Sequence, residues 1–358
     1  MEYNRILAIN PGSTSTKIAV YENDKNIFLK TLRHPSEIIA KYSNIIDQFD
    51  FRKEVIIEEL KAADIDITTL KAVVGRGGLL KPVEGGVYEV NKKMMDDLHS
   101  GTYGEHASNL GALIAFNIAQ TIKGSRAFIA DPVVVDELID VARIAGHPLF
   151  ERRSIFHALN QKAIGRSHAK TINKKYEECN LIIAHLGGGV SVGAHQNGHV
   201  IDVNNALDGE GPFSPERSGT LPAGALAKVC FSGDYTLEQI KKMITGKGGL
   251  VAYLETNDAH EVEKAASAGD KKAKLIQDAM AYQIGKSIGE MATVLKGKVD
   301  SIILTGGIAH NQDLVAYVRS MVEFIAPMVV YPGEDEMKAL ADNGLMAISN
   351  EIEIKKYK

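Results

Sequence analysis

Short apolar runs recur along the chain at 6–9, 17–21, 72–74, 127–130, 181–184, 191–194, 301–304 and 327–331, and most stop at Gly, Pro or Asp. Runs of this length, punctuated by turn residues, predict buried strands. The stretches 36–49, 54–63, 107–121, 158–176, 237–245, 270–295 and 335–350 between them read as helices. Strands alternating with helices predict an α/β architecture. "NDKN" at 23–26 and "QNGH" at 196–199 read as hairpin turns, so part of each sheet is expected to be antiparallel.

The pattern also repeats itself. "ILAINPGSTSTKIAVYENDKNI" can be laid over "IIAHLGGGVSVGAHQNGHVI" with Asn10 on His185. Gly12 then falls on Gly187 and Ala19 on Ala194, and the two polar turns differ by one residue. Any two hairpins share some of this pattern, but two strand–glycine–strand units at corresponding places in two halves point to duplicated domains. The expected division is 1–160 and 161–358, with a final helix at about 336–350 crossing back onto the first domain.

Composition narrows the class. A chain of 358 residues, 45% hydrophobic and 24% charged, suits a two-domain globular protein with full cores. A net charge of -4 without a Lys/Arg block gives no nucleic-acid footprint, so a bound anion must be held locally. Cys179 and Cys230 form no CxxC pair, which argues against a zinc site or a disulfide framework and fits a reducing cytoplasm. The N-terminus lacks the basic and apolar regions of a signal peptide, and the longest apolar stretch, "AFIADPVVV", falls far short of a membrane span.

Three loops carry candidate phosphate chemistry. Consecutive backbone N–H groups in a turn can hold an anion, and glycine lets phosphate oxygens approach the main chain. The stretch 10–17, with Gly12, Ser13 and Lys17, and the stretch 185–189, with His185, Gly187, Gly188 and Gly189, both offer this. In "LTGGIAHN" a strand runs into Gly306 and Gly307 and then a helix carrying Asn311 near its start. "IGKSIG" at 284–289 mimics the end of a Walker loop, but Met280 stands where that motif needs glycine, and the segment reads as a helix face. Polar residues also mark the strand and loop ends: Arg76 in "VVGRGG", His106 before a helix, Asp131 after a buried strand, His157 beside Phe156, and Arg217 in "FSPERSGTLP". Glu334, Asp335 and Glu336 open the final helix, either meeting its dipole or contacting a metal.

On these residues the chain resembles the acetate/butyrate kinase family over essentially its full length, within the wider superfamily of sugar kinases and actin. The resemblance implies two duplicated ribonuclease-H-like, actin-like domains with mixed sheets flanked by helices and an ATP cleft between them. It implies Asn10 near metal and phosphates, His106 on the substrate side, Asp131 as the strand-end catalytic aspartate, His157 on the transferring phosphoryl group and Arg217 as a transition-state charge stabiliser. His185 and Gly187 to Gly189 match its second phosphate motif, and Gly306, Gly307, Asn311 and Asp258 its nucleotide segments. The terminal acidic motif matches "GEDEM" and leaves open whether Asp335 or Glu336 meets the metal. Acetate kinases pair an arginine with a His-Gly-Gly, whereas an overlay of "VVGRGG" puts Arg76 at the histidine. Arg76 is therefore the expected carboxylate-binding arginine by position in the loop only.

The implied reaction is reversible, Mg²⁺-dependent transfer of the ATP γ-phosphoryl group to butyrate, giving butyryl phosphate and ADP. Branched-chain (isobutyrate) and acetate or propionate kinases are the alternatives, and an actin-like ATP-binding scaffold is the alternative from another class. The implied assembly is a homodimer or a higher homo-oligomer. A carboxylate acceptor is already ionised, so Asp131 is left open as a base or an orienting group.

Overall fold

The computed structural model describes residues 3–358. Its strands are β1 (Arg5–Pro11), β2 (Ser15–Glu22), β3 (Lys25–Arg33), β4 (Leu70–Arg76), β5 (Val87–Glu89) and β6 (Arg126–Ala130). They continue with β7 (Asn180–Leu186), β8 (Val190–Gln196), β9 (His199–Val203), β10 (Ser301–Gly306), β11 (Met328–Pro332) and β12 (Ile354–Lys356). The central strands are continuous apolar runs because both faces are covered: Ile6, Leu7, Ala8 and Ile9 are fully buried, as are Leu181 to Ala184.

Two compact units result, one comprising residues up to Val135 together with Asp335–Lys358, the other Asp136–Glu334. The sequence pattern places the boundary at 160/161; packing divides the chain at 135/136. The first unit holds a seven-stranded sheet in the order β12-β5-β6-β4-β1-β2-β3, the second a five-stranded sheet in the order β11-β10-β7-β8-β9. Five strands of each correspond. β6-β4-β1 and β11-β10-β7 are parallel, while β1-β2-β3 and β7-β8-β9 are antiparallel. Each third strand joins after a register shift, at Val20/Tyr21 and at Ala194/His195. The repeated sequence pattern is thus a repeated sheet.

Glycines set how closely helices approach the first sheet. A Cβ on Gly75 of β4 would lie 2.1 Å from the Gly111 carbonyl oxygen, and one on Gly111 2.3 Å from that of Arg76. The helix Asn109–Gln120 therefore rests backbone to backbone on β4, which puts the loop bearing His106 beside the strand bearing Arg76. The C-terminal helix Glu336–Ile348 packs on β1 and β4, with Gly344 against the side chains of Val74 and Ile6.

One predicted helix is not formed as such. The stretch 36–49 is a single turn at Ser36–Ile39, a bend, and a 3-10 turn at Ile46–Gln48 that leads into the helix Phe49–Ala62. The Asp47 carboxylate accepts from the Asn44 amide at 3.1 Å, a first-turn bond back to the helix entrance that marks a fresh helical start there.

Candidate active site

In the first unit, β1 and the C-terminal helix bring together residues far apart in the chain. Asn10 ends β1 and donates from Nδ2 to Glu336 Oε2 at 2.5 Å. Arg76, at the end of β4, places Nη1 at 2.9 Å from both Glu336 carboxylate oxygens and 3.4 Å from Asn10 Oδ1. Asp335 is engaged elsewhere, as the N-cap of that helix, where it accepts from the Lys338 amide at 2.8 Å. Of the two terminal acids, Glu336 is the one beside Asn10.

His106 is exposed, and its Nδ1 takes the Ser108 amide at 3.2 Å and lies 2.8 Å from the Ser108 hydroxyl. The loop packed against the ring and the Arg76 charge hold the imidazole below its usual pKa. Asp131, buried, follows β6 in the left-handed region at φ 37 and accepts from Gly86 N–H through Oδ1 at 2.7 Å. A non-glycine residue in that region is strained, a feature that clusters at functional sites. Gly12 closes its hairpin by donating to Ser15 O at 2.7 Å, Ser13 is exposed at the turn, and Lys17 is exposed on β2.

In the second unit, β7 delivers His185 and the glycine turn to the start of the helix Ala158–Thr171. His157 caps that helix by position, and its ring stacks on His185 with centroids 3.8 Å apart at 15°. His185 is fixed from the same helix by Asn160 Oδ1, 2.8 Å from its Nδ1. Gly187 closes the turn by donating to Gly189 O at 3.0 Å, the counterpart of Gly12 to Ser15. Gly188 is exposed, while a Cβ on Gly189 would lie 1.8 Å from Arg217 Nη1.

Arg217 therefore lies directly over the turn and donates to Ala206 O at 2.6 Å. Among the described residues no carboxylate lies within ion-pair distance of it, and burial pulls its pKa down. The Glu216 charge offsets this only in part, and a half-buried cation with no direct ion pair is a ready anion contact. Gly306, at φ 92, ends β10, and a Cβ there would meet Leu186 O at 2.3 Å, so the Gly306-Gly307 turn abuts the His185 loop.

Other predicted residues carry structural duties. Asn311 is buried, caps the helix Gln312–Val322 through Leu314 N–H at 2.9 Å, and donates to Gln277 at 3.0 Å. Asp258 is exposed and caps the helix Ala259–Ser267.

The sequence model of the Acetokinase family matches residues 142–348 of this chain. The chain belongs to the Acetokinase family. Similarity to individual acetokinases extends further than the profile. Butyrate kinase 2 of Clostridium acetobutylicum is 58% identical over 354 residues, covering 99% of both chains. Butyrate kinase 1 of the same organism is 57% identical over 354 residues, again with 99% of both covered. Among solved structures, Porphyromonas gingivalis acetate kinase has a TM-score of 0.78 at 19% identity, covering 96% of this chain and 100% of its own. A propionate kinase from Francisella tularensis has a TM-score of 0.72 at 17% identity, covering 95% and 98%. The acetate-kinase fold, α/β with two mixed sheets flanked by helices, is thus the fold of this chain.

Sequence reasoning missed Arg52. The fold buries the guanidinium completely under the first glycine turn, where it donates to Gly12 O at 2.7 Å, Ser13 O at 3.0 Å, Ser15 O at 3.1 Å and Thr16 Oγ1 at 3.2 Å. Gln48 Oε1 takes two further bonds. With three carbonyls of residues 12–15 turned down onto the arginine, the turn is held open on its other face. The signal available was one arginine amid the apolar positions of a helix.

Proposed function

We propose that this protein is a butyrate kinase, transferring the γ-phosphoryl group of ATP to butyrate to give butyryl phosphate and ADP. The observation that carries the reading is the near-complete match to two Clostridium acetobutylicum butyrate kinases, which leaves none of the loops above outside it. The acceptor is ionised at neutral pH, so no base is needed, and the work left to the protein is positioning and charge stabilisation. A carboxylate oxygen forms its bond to phosphorus as the bridging oxygen of ADP leaves with its electron pair.

Arg217, over the second glycine turn and in no direct ion pair, stabilises the charge on the equatorial oxygens together with His157. Arg76 and His106 hold the acid. Arg76 has guanidinium N–H groups beyond the Nη1 that meets Glu336. Asp131, bonded to Gly86 N–H, serves as an orienting group in this reading. The residues fit a magnesium ion that keeps water and nucleotide oxygens as most of its ligands, since such an ion needs few protein oxygens. Asn10 and Glu336 would hold it, and it would neutralise phosphate charge.

Among the described residues no helix is long and apolar enough to cross a membrane. A cytoplasmic location is supported by the exposed free thiol of Cys230. Homodimerisation is supported by the apolar side chains of Val141, Ile144, Leu149 and Phe150, left exposed on one segment. Incubation with Mg²⁺, ATP, hydroxylamine and each straight or branched acid from C2 to C5 tests the function. Hydroxamate forms fastest with butyrate; none with any acid would overturn the reading, and a maximum at acetate or isobutyrate would reassign the substrate.

A further inference from the structure

Behind His157 the second unit contains a run of buried polar side chains that the reaction itself does not touch. His195 and Gln161 are fully buried, as is Ser191, and Tyr176 is 5% exposed. Tyr176 OH lies 2.6 Å from His195 Nδ1, His195 Nε2 2.9 Å from Gln161 Oε1, and Ser191 Oγ 2.8 Å from His157 Nδ1. Gln161 Nε2 closes the run at 3.0 Å from Ser191 O and 2.8 Å from Ser191 Oγ.

The direction of every bond follows from which groups can donate. Ser191 O is a carbonyl and can only accept, so the amide nitrogen of Gln161 faces Ser191 and its oxygen faces His195. That oxygen accepts, so the proton of His195 is on Nε2. Burial, with the Lys162 charge adding to it, pulls the His195 pKa down to about 3, so the ring is neutral and its Nδ1 takes the Tyr176 hydroxyl proton. The two amide hydrogens of Gln161 go to Ser191 O and Oγ. The Ser191 hydroxyl accepts there, and also from His157 N at 3.5 Å, which leaves His157 Nδ1 as the one acceptor for its own proton among the described residues.

We propose that Ser191, Gln161 and His195 are positioning residues that hold His157 as the neutral tautomer protonated at Nε2. Resting on the reading of His157 as a phosphoryl contact, this makes the ring a hydrogen-bond donor to phosphate oxygen rather than a base. The stacking on His185 disfavours charge on both rings, because two imidazolium rings 3.8 Å apart would repel, and the Glu334 carboxylate 3.5 Å from His185 Nε2 favours the charge on His185. It also gives a function to the second hairpin beyond its glycine turn: β8 supplies both Ser191 and His195, on the same face of the strand.

The test is a long-range proton–nitrogen spectrum of the full-length protein labelled with ¹⁵N-histidine at neutral pH, with His157 assigned by His157→Gln. The expected pattern is a protonated Nε2 and a bare Nδ1; a protonated Nδ1, alone or in an imidazolium, overturns the proposal. Gln161→Glu cannot donate to Ser191, so the serine hydroxyl turns to the new carboxylate and His157 gains a proton at Nδ1. Ser191→Ala, which adds no buried charge, gives mixed tautomers and lowers kcat about 10-fold with the nucleotide KM within about 2-fold, and Ser191→Thr restores both. A Ser191→Ala enzyme with the wild-type spectrum overturns the relay. Wild-type kcat in His157→Gln alongside the expected spectrum would instead remove His157 from the reaction, leaving the tautomer assignment standing.

Discussion

Gly189→Ala isolates the proposed role of Arg217 without touching the arginine. The added methyl carbon would lie 1.8 Å from Arg217 Nη1 and 2.6 Å from Cζ. Carbon and nitrogen approach to about 3.5 Å at best, so the guanidinium must retreat by roughly 1.5 Å. The atoms in the way are the far end of a flexible side chain, and its retreat breaks the Nη1 hydrogen bond to Ala206 O. Stability should therefore change by under about 1 kcal/mol. Displacing a charge stabiliser by more than about 1 Å is worth roughly 10²-fold in kcat, or about 2.7 kcal/mol. Hydroxamate kinetics with saturating ATP and butyrate, alongside thermal melts, measure both quantities. Arg217→Ala should show a loss of the same order, and the double variant no further loss, because both changes remove one interaction. Near-normal kcat in Gly189→Ala would refute the reasoning, and so would a double variant whose loss is the product of the two single losses.

Two further outcomes rest on the first unit. Arg52→Met leaves buried Gln48 Oε1 without its donor, at about 1–3 kcal/mol, while Thr16 Oγ1 keeps His34 Nε2 and water can reach the exposed part of residues 12–15. Urea unfolding should show about 1–3 kcal/mol less stability, and a loss below about 0.5 kcal/mol would mean that the clamp is dispensable. His34 is buried against Thr16, and burial, with the Arg52 charge second, lowers its pKa to about 4. The folded state thus resists protonation while the unfolded chain takes up its proton near its ordinary value. Stability should fall as pH drops from about 6.5 to about 4, by on the order of 3 kcal/mol from this group. Urea midpoints measured across that range should be flatter in His34→Gln; an unchanged slope would sink the assignment.

Much of the fold was legible because strand signals are local. The runs at 6–9, 17–21, 181–184 and 191–194 lie within β1, β2, β7 and β8, and the turns at Asn23 and Asn197 both adopt the positive φ that their sequence suggests. β5 and β12, three residues each, are too short for periodicity to register. The helix expected at 36–49 is interrupted after Ile39, and Asp47, bonded back to the Asn44 amide, opens a second helical start.

The candidate site divides along the same line. Chain-local chemistry was readable: glycine after a strand, Asp131 at a strand end, His157 before a helix. Caps were harder, since Asp258, Asn311 and Asp335 look alike as binding residues and as N-caps, and only the hydrogen bonds separate the two uses. Taken alone, then, the sequence determined the order of elements, the duplicated hairpin and the residue types at its turns, because each depends on neighbours a few positions away. The tertiary structure decided that Glu336 rather than Asp335 meets Asn10, that Arg52 holds the first turn, and that Tyr176, His195, Gln161 and Ser191 line up behind His157. Those relations join residues up to 326 positions apart, and only packing brings them within hydrogen-bond reach.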